Sequence, residues 1–276
     1  MTLRVELLGV RGATPALGPD FVRYGGHTSC VAIRAGDETT PRLVLDGGTG
    51  VRELTGVFDG TILLTHLHWD HVQGLPFAHA LREPTAHVRV LLPVEPGGDA
   101  MTTMRRSFQP PVFPFGPDEL GPRWSFGRMP GTLDMEPFHV TTALVRHGAG
   151  RTVGIRVEAE GRSIAYLPDH DLSAPDPAAQ RLAAGVDLLL HDAHHLPTDA
   201  RLVESFGHSS IQDACRFADA AGVGSLVLVH HAPDRTDLEL DRVAAGFQRT
   251  ADRRPVLVGQ QGLHLEVGPS VPAIVS

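Results

Sequence analysis

The sequence predicts an α+β fold with a sheet-rich core and helices packed outside it. Three observations point there. Short apolar runs ending at loops fill most of the chain. Helical patterns are few. Strands predominate first and then mix with helices, an order that suits sheets covered by helices. The 276 residues would suffice for one large domain or two small ones. No internal repeat or compositional boundary divides them, so residues 1–276 are taken as a single domain. A chain of this size buries roughly 75% of its unfolded surface and needs no covalent staple.

The predicted strands, in order, are Arg4–Leu8, Cys30–Arg34, Leu43–Leu45, Thr61–Thr65, Val88–Leu92, Thr141–Val145, Gly154–Ala159, Ser163–Leu167, Val186–Leu190, Ser225–Val229, Val256–Val258 and Leu263–Val267. The clearest helix is Ser210–Ala221. There Ile211, Ala214, Cys215 and Ala218 form one apolar stripe, and Ser210 with Asp213 makes a start resembling a capping box. Two weaker helices are expected over Val72–Arg82 and Leu238–Arg249. Residues 95–137 are rich in Pro and Gly without clear periodicity. Yet they hold Phe108, Phe113, Phe115, Trp124, Phe126 and four of the five methionines. A solvated linker would not carry that apolar load. The expectation is a segment folded over the mouth of a site or against a second subunit, with a homodimer in view; a plain cap on the core is the alternative.

Composition excludes several classes. The net charge of −8 argues against a broad basic face for nucleic acid, though not against a local strip. Every one of the 24 basic residues is Arg, which removes lysine Schiff-base chemistry and a lysine P-loop. Cys30 and Cys215 are isolated, suit a reducing compartment and are expected as buried small hydrophobes. The opening MTLRVELLGV reads as a strand rather than a signal peptide. No apolar run approaches the ~20 residues that span a bilayer. The expectation is a cytoplasmic protein without membrane contact.

Histidine is unusually frequent, with 16 residues, and its placement carries information. His66, His147, Asp169, His191, Asp192 and His230 all stand at or just past predicted strand ends, which gather along one rim of a sheet. In His66-Leu67-His68-Trp69-Asp70-His71, three imidazoles and a carboxylate fall within six positions. That donor set suits zinc, with manganese or iron as alternatives. Four local ligands joined by later ones exceed the needs of one ion, so two divalent ions are implied. Such a pair can hold a hydroxide between them and clamp both oxygens of a displacement.

HLHWDH, preceded by TILLT and followed by VQGLPF, resembles the metallo-β-lactamase superfamily. LVLDGGTG, VRHGAGRTVGIR and GRSIAYLPDHD resemble its other metal motifs. GVDLLLHDAHH, GHSSIQDA and SLVLVHHAPDRTD resemble the closing motifs of its ribonuclease Z and cyclic phosphodiesterase branch. The resemblance implies an αββα sandwich of two mixed sheets flanked by helices. It implies that His66, His68 and His147 hold one metal, that Asp70, His71 and His230 hold the other, and that Asp169 bridges them while Asp46 supports the loop. His230 is preferred over His231 for that ligand. His68, where diiron oxidoreductases of the superfamily carry Glu, points to hydrolysis. The lack of a cysteine ligand argues against an antibiotic substrate. Asp70 can both ligate and accept the nucleophile's proton. His208 is assigned to the leaving oxygen and Asp192 to orienting His208.

Other residues carry weaker expectations. Arg11 and His27 lie in early loops that face the site in relatives, with contact to substrate and a structural role in the loop as equal alternatives. His191, His194 and His195 are read as surface or supporting residues, and His79, His87, His139, His170 and His264 carry no expected chemistry. A phosphodiesterase acting on a small or cyclic phosphodiester ranks first. A ribonuclease Z-like endonuclease that processes transfer RNA ranks next. It is disfavoured because residues 101–140 balance four Arg (105, 106, 123, 128) against four acids (118, 119, 134, 136). Thioester hydrolysis and a non-catalytic sensor follow.

Overall fold

A computed structural model describes residues 2–196, 207–248, 254–268 and 273–275. Two sheets form, each mixed. The first runs in the order β15 (Ala273–Val275), β14 (Leu263–Val267), β1 (Leu3–Gly9), β2 (Cys30–Ala35), β3 (Leu43–Leu45), β4 (Asp59–Leu63), β5 (His87–Leu92) and β6 (Trp124–Arg128). The second runs β13 (Val256–Val258), β12 (Ser225–Val229), β11 (Leu188–Asp192), β10 (Arg162–Leu167), β9 (Gly150–Ala159), β8 (Phe138–His147) and β7 (Thr132–Met135). In each sheet one half is antiparallel and the other parallel: β3 to β6 in the first, β10 to β13 in the second.

Strand alternation explains the layering. On β1, Leu3, Val5 and Leu7 enter the cluster between the sheets, where they meet Val140, Ile155, Ile164, Leu190 and Val227 of the second sheet. Leu8, Ala32 and Val44 face the other way, into a second cluster with Val72, Leu75 and Leu81. A third cluster packs Ala165, Leu189 and Leu228 against the helices Pro177–Ala183 and Ile211–Ala221. Sheets covered on both faces read as unbroken apolar runs, as in LLL of β11 and SLVLV of β12. The result is the αββα sandwich that the motifs implied. The backbone also crosses between layers: the Val153 amide donates to the Thr65 carbonyl at 2.9 Å.

Several elements depart from expectation. The helix expected over Val72–Arg82 is three short turns, Trp69–Val72, Leu75–Phe77 and His79–Arg82. Gly74 and Pro76 stand at the break, and Pro cannot donate within a helix. The helix near Leu238 is Asp237–Gln248; Arg249, its expected end, lies outside the described residues. Residues 95–137 are partly regular, with a helix at Ala100–Arg105 and the strands β6 and β7. Met104, Phe108 and Phe113 are buried in the second cluster, while Met129 and Met135 pack on the central one. Much of the apolar load thus packs on the core. Cys30 is buried in the second cluster and burial pushes its thiol pKa well up; Cys215 is only partly buried. No described helix is long and apolar enough to cross a membrane.

Candidate metal centre

The parallel strands of both sheets bring their C-terminal ends to one rim, where β8, antiparallel to its neighbours, also ends, and the chemistry collects there. Asp46 follows β3, His66 follows β4, His147 ends β8, Asp169 follows β10, Asp192 ends β11 and His230 follows β12. Asp46 is fully buried with φ of +60°, a conformation seldom adopted away from glycine. Its Oδ1 accepts from the Thr65 amide at 2.8 Å. Its Oδ2 accepts from His71 Nδ1 at 2.8 Å and from the Tyr166 hydroxyl at 3.0 Å. The bond to Nδ1 leaves His71 Nε2 directed into the site. His147 is set in the same way, with Nδ1 donating to the Gly207 carbonyl at 3.0 Å.

The nitrogen and oxygen atoms then converge. Ligand atoms of His66, His68 and His147 lie within 4.8 Å of one another, and so do those of Asp70, His71 and His230. Asp169 stands between these groups: Oδ2 is 3.0 Å from His71 Nε2, and Oδ1 is 3.8 Å from His147 Nε2 and 3.4 Å from His230 Nε2. His230 Nε2 is 3.2 Å from Asp70 Oδ2. Burial and its neighbour His71 push the His66 pKa well down, so the ring is a neutral donor. Burial works against charge on His71 too, but Asp70, Asp169 and Asp46 outweigh it and raise its pKa well up. Asp70 and Asp169 are held ionised in spite of burial by the surrounding imidazoles.

The donor set fits divalent metal. His66 Nε2, His71 Nε2 and Asp169 Oδ2 are buried and have no hydrogen-bond partner. His71 Nε2 and Asp169 Oδ2 are close but not aligned for a hydrogen bond. Two atoms each ~2.0–2.2 Å from a shared zinc ion stand about this far apart.

An acid–base pair adjoins the cluster. His208 Nδ1 donates to Asp192 Oδ2 at 2.9 Å. Asp192 is also held by the amides of His170, His194 and Ser209. Burial opposes charge on His208, but Asp192 and then Asp169 raise its pKa to about 9. Asp192 stays ionised with a pKa of about 2, where burial would raise it and His208 outweighs the burial.

The remaining expectations sort cleanly. His230 faces the cluster, whereas His231 bonds the Gly259 carbonyl through Nε2 at 2.9 Å. Arg11 does not face the site: it is fully buried and donates to the carbonyls of Gly25, Ala232 and Arg235, tying the early loop to the segment after β12. His27 pairs with Glu53. His191 and His170 bond each other beside Phe217, under the helix Ile211–Ala221. His194, read from sequence as surface or support, belongs to the site, its ring parallel to that of His208. The strand-end rule that picked out Asp192 extends two residues further to reach it. The Ala13 amide, which donates to Asp70 Oδ2 at 2.7 Å, and Gly12, against the His230 ring, carry no side-chain signature.

Comparison with known proteins agrees with this architecture. A profile described as beta-lactamase superfamily domain matches residues 54–231. Ribonuclease Z of Nocardia farcinica is 38% identical over 99 residues, 35% of this chain and 32% of that protein's length. Ribonuclease Z of Mycobacterium tuberculosis is 26% identical over 260 residues, 84% of this chain and 86% of that protein. Among solved structures, the metallo-beta-lactamase fold protein YhfI from Bacillus subtilis superposes with a TM-score of 0.68 at 18% identity, covering 96% of this chain and 100% of that one. The short form of human tRNase Z gives 0.62 at 22%, covering 96% and 99%. Profile, relatives and fold together show that the chain belongs to the metallo-β-lactamase superfamily.

Proposed function

We propose that the protein is a two-metal phosphodiesterase, a single catalytic domain acting on a small or cyclic phosphodiester. His66, His68 and His147 would hold one ion and Asp70, His71 and His230 the other, with Asp169 within reach of both groups. When bound, zinc, or manganese or iron in its place, supplies Lewis-acid polarisation and an activated water at neutral pH. The chain's own residues do the rest. Asp70 accepts a proton at the carboxylate that Ala13 anchors. His208, its Nδ1 occupied by Asp192, presents Nε2–H to the leaving oxygen. The observation carrying the proposal is this dyad beside the cluster, since the cluster alone serves many hydrolyses. The test is metal content by mass spectrometry together with turnover of bis(p-nitrophenyl) phosphate and cyclic nucleotides. About two ions per chain with turnover is the expected result; two ions without turnover of any phosphodiester sinks it.

One observation favours a second reading, cleavage of precursor transfer RNA. A groove of about 900 Å³ adjoins Leu67 and Gly148 and is lined by Arg106, Arg128, Arg146 and Arg151. The balanced charge of residues 101–140 is therefore unevenly spread: Arg105 pairs with Asp118, while Arg106 lines the groove. An arginine-lined groove beside the centre suits phosphates flanking a scissile bond. Arg106→Ala with Arg151→Ala should raise KM for precursor RNA and flatten its salt dependence, with KM for bis(p-nitrophenyl) phosphate moving far less. Equal effects on both substrates count against RNA.

A further inference from the structure

The end of the first sheet opposite the metal centre holds a second cleft. Strands β3 to β6 run parallel, so the residues that open them lie at the rim away from the cluster. Arg42 precedes β3, Asp59 and His87 start β4 and β5, and Arg123 precedes β6; all four line a cleft of about 700 Å³. The register sets a polar row inside it. Thr61 pairs with Arg89, and Arg89 pairs with Ser125, so the three side chains leave one face of the sheet side by side. Two residues further along the same strands, Leu63 and Leu91 enter the cluster between the sheets. The polar row is therefore the margin where that apolar layer opens, and Met135 of β7 lines it from the second sheet.

The charges in the cleft are unevenly matched. Asp59 is the one acid among the described residues that line it, and it lies 3.6 Å from His87. Arg42 lies 3.6 Å from Glu38 and donates to the Glu136 carbonyl at 3.3 Å. Arg123 donates to the Thr85 carbonyl at 3.3 Å. Arg89 is exposed, and among the described residues its guanidinium makes no hydrogen bond or ion pair. Three guanidinium groups thus gather in one cleft of a chain whose net charge is −8. Like charges so placed repel, and an anion among them relieves the repulsion. The donors also select the anion. A carboxylate has two oxygens and is satisfied by one arginine fork. A phosphoryl group offers three oxygens and up to two charges, enough for Arg89, its neighbours and the hydroxyls of Thr61 and Ser125. The volume suits a ligand of nucleotide size. We propose that this cleft binds a small phosphorylated molecule, its phosphoryl group on Arg89 and flanked by Arg42 and Arg123. The five residues of β4 separate the two rims by roughly 17 Å. The ligand is therefore not the molecule being cleaved, and the site stands whether or not the phosphodiesterase reading holds.

The test is calorimetric titration of the metal-loaded protein with inorganic phosphate and adenosine monophosphate, and with acetate and adenosine as controls. Phosphate or AMP should bind the native chain in a class beyond the one that inhibits turnover of bis(p-nitrophenyl) phosphate. Arg89→Ala with Arg123→Ala should weaken that class by roughly tenfold or more, while metal content and turnover stay at native levels. Arg89→Lys keeps the charge without the fork and should fall between. Tighter binding of AMP than of phosphate assigns the cleft to a phosphorylated metabolite, and equal binding assigns it to free phosphate. Acetate matching phosphate, adenosine matching AMP, or unchanged binding in the double variant overturns the inference. The native chain decides alone if the variant fails to fold: a single class of phosphate binding, with a dissociation constant equal to its inhibition constant, places all of it at the metal centre and overturns the inference. A chain that turns over no phosphodiester removes the phosphodiesterase reading and leaves the binding comparison intact.

Discussion

His230 has φ of +59°, and a methyl group at Gly12 would come within 2.3 Å of its ring. Residues held in sparsely populated backbone regions persist only where their surroundings over-determine them. The loop at residues 11–13 supplies that constraint, with the Gly12 face on His230 and the Ala13 amide on Asp70. Gly12→Ala should therefore displace the His230 ring, and metal titration should show occupancy of one of the two ions falling with turnover. Unchanged stoichiometry and rate would assign the glycine to loop geometry alone. His208→Ala should separate the other way, keeping both ions while turnover falls roughly 10²–10⁴-fold, the usual range for a lost acid–base group. At this scale the sequence was legible where side chains speak. The spacing of His66, His68, Asp70 and His71 marked the cluster. The Ala13 amide and Gly12 could not be found, because neither a backbone donor nor a missing Cβ announces its partner. His194 was read only as surface or support, because the His208 ring it lies against is 14 positions away.

Capping decides where helices begin here. Ser210 accepts from the Asp213 amide at 3.1 Å, as the residue pattern indicated, and the helix ends at Gly222 in the left-handed region. Asp176 does the same for Pro177–Ala183, accepting from the amides of Ala178 and Ala179 through one oxygen and of Arg146 through the other. Burial would raise the Asp176 pKa, but the His170 ring and these amides outweigh it and hold it below the usual carboxylate range. Stability from this group is in place above the unfolded pKa of about 3.9 and is lost as pH falls through the depressed folded value. Asp176→Ala should cost about 1 kcal/mol near neutrality in urea unfolding. The gap from the native chain should narrow below pH 4; a pH-independent gap would mean that only packing was lost. Strands β3 and β12 match their apolar runs residue for residue, because burial on both faces leaves a continuous signal; β13 and β14 match as well, β14 through the alternation of Leu263, Leu265 and Val267 with His264 and Glu266. Residues 72–82 misled because their helical periodicity is real but interrupted at Gly74 and Pro76. Strand β6 was hidden because its residues alternate only weakly and pair at an edge.

Across the whole molecule, the cluster draws on both sheets. His66, His68, Asp70 and His71 come from the first, and His147, Asp169 and His230 from the second. A ligand that binds only the folded state stabilises it by about 3–4 kcal/mol at 100–1,000 times its Kd. Treatment with EDTA should lower the unfolding midpoint, and added zinc or manganese should restore it. A midpoint indifferent to both would remove the metals from the structural account. The opposed charges of the insertion were readable as a sum, but their sorting into a pair at Asp118 and a groove wall at Arg106 depends on how residues 95–137 close over the core. The backbone bond from the Val153 amide to the Thr65 carbonyl bears on the same junction. Apolar contact glues the layers over their whole area, whereas ions would rivet them at one margin only. Val153 then becomes a natural gauge of that margin. Its deuterium uptake should quicken when the rivets are drawn, while amides of β1 and β2, at the glued centre of the first sheet, keep their protection.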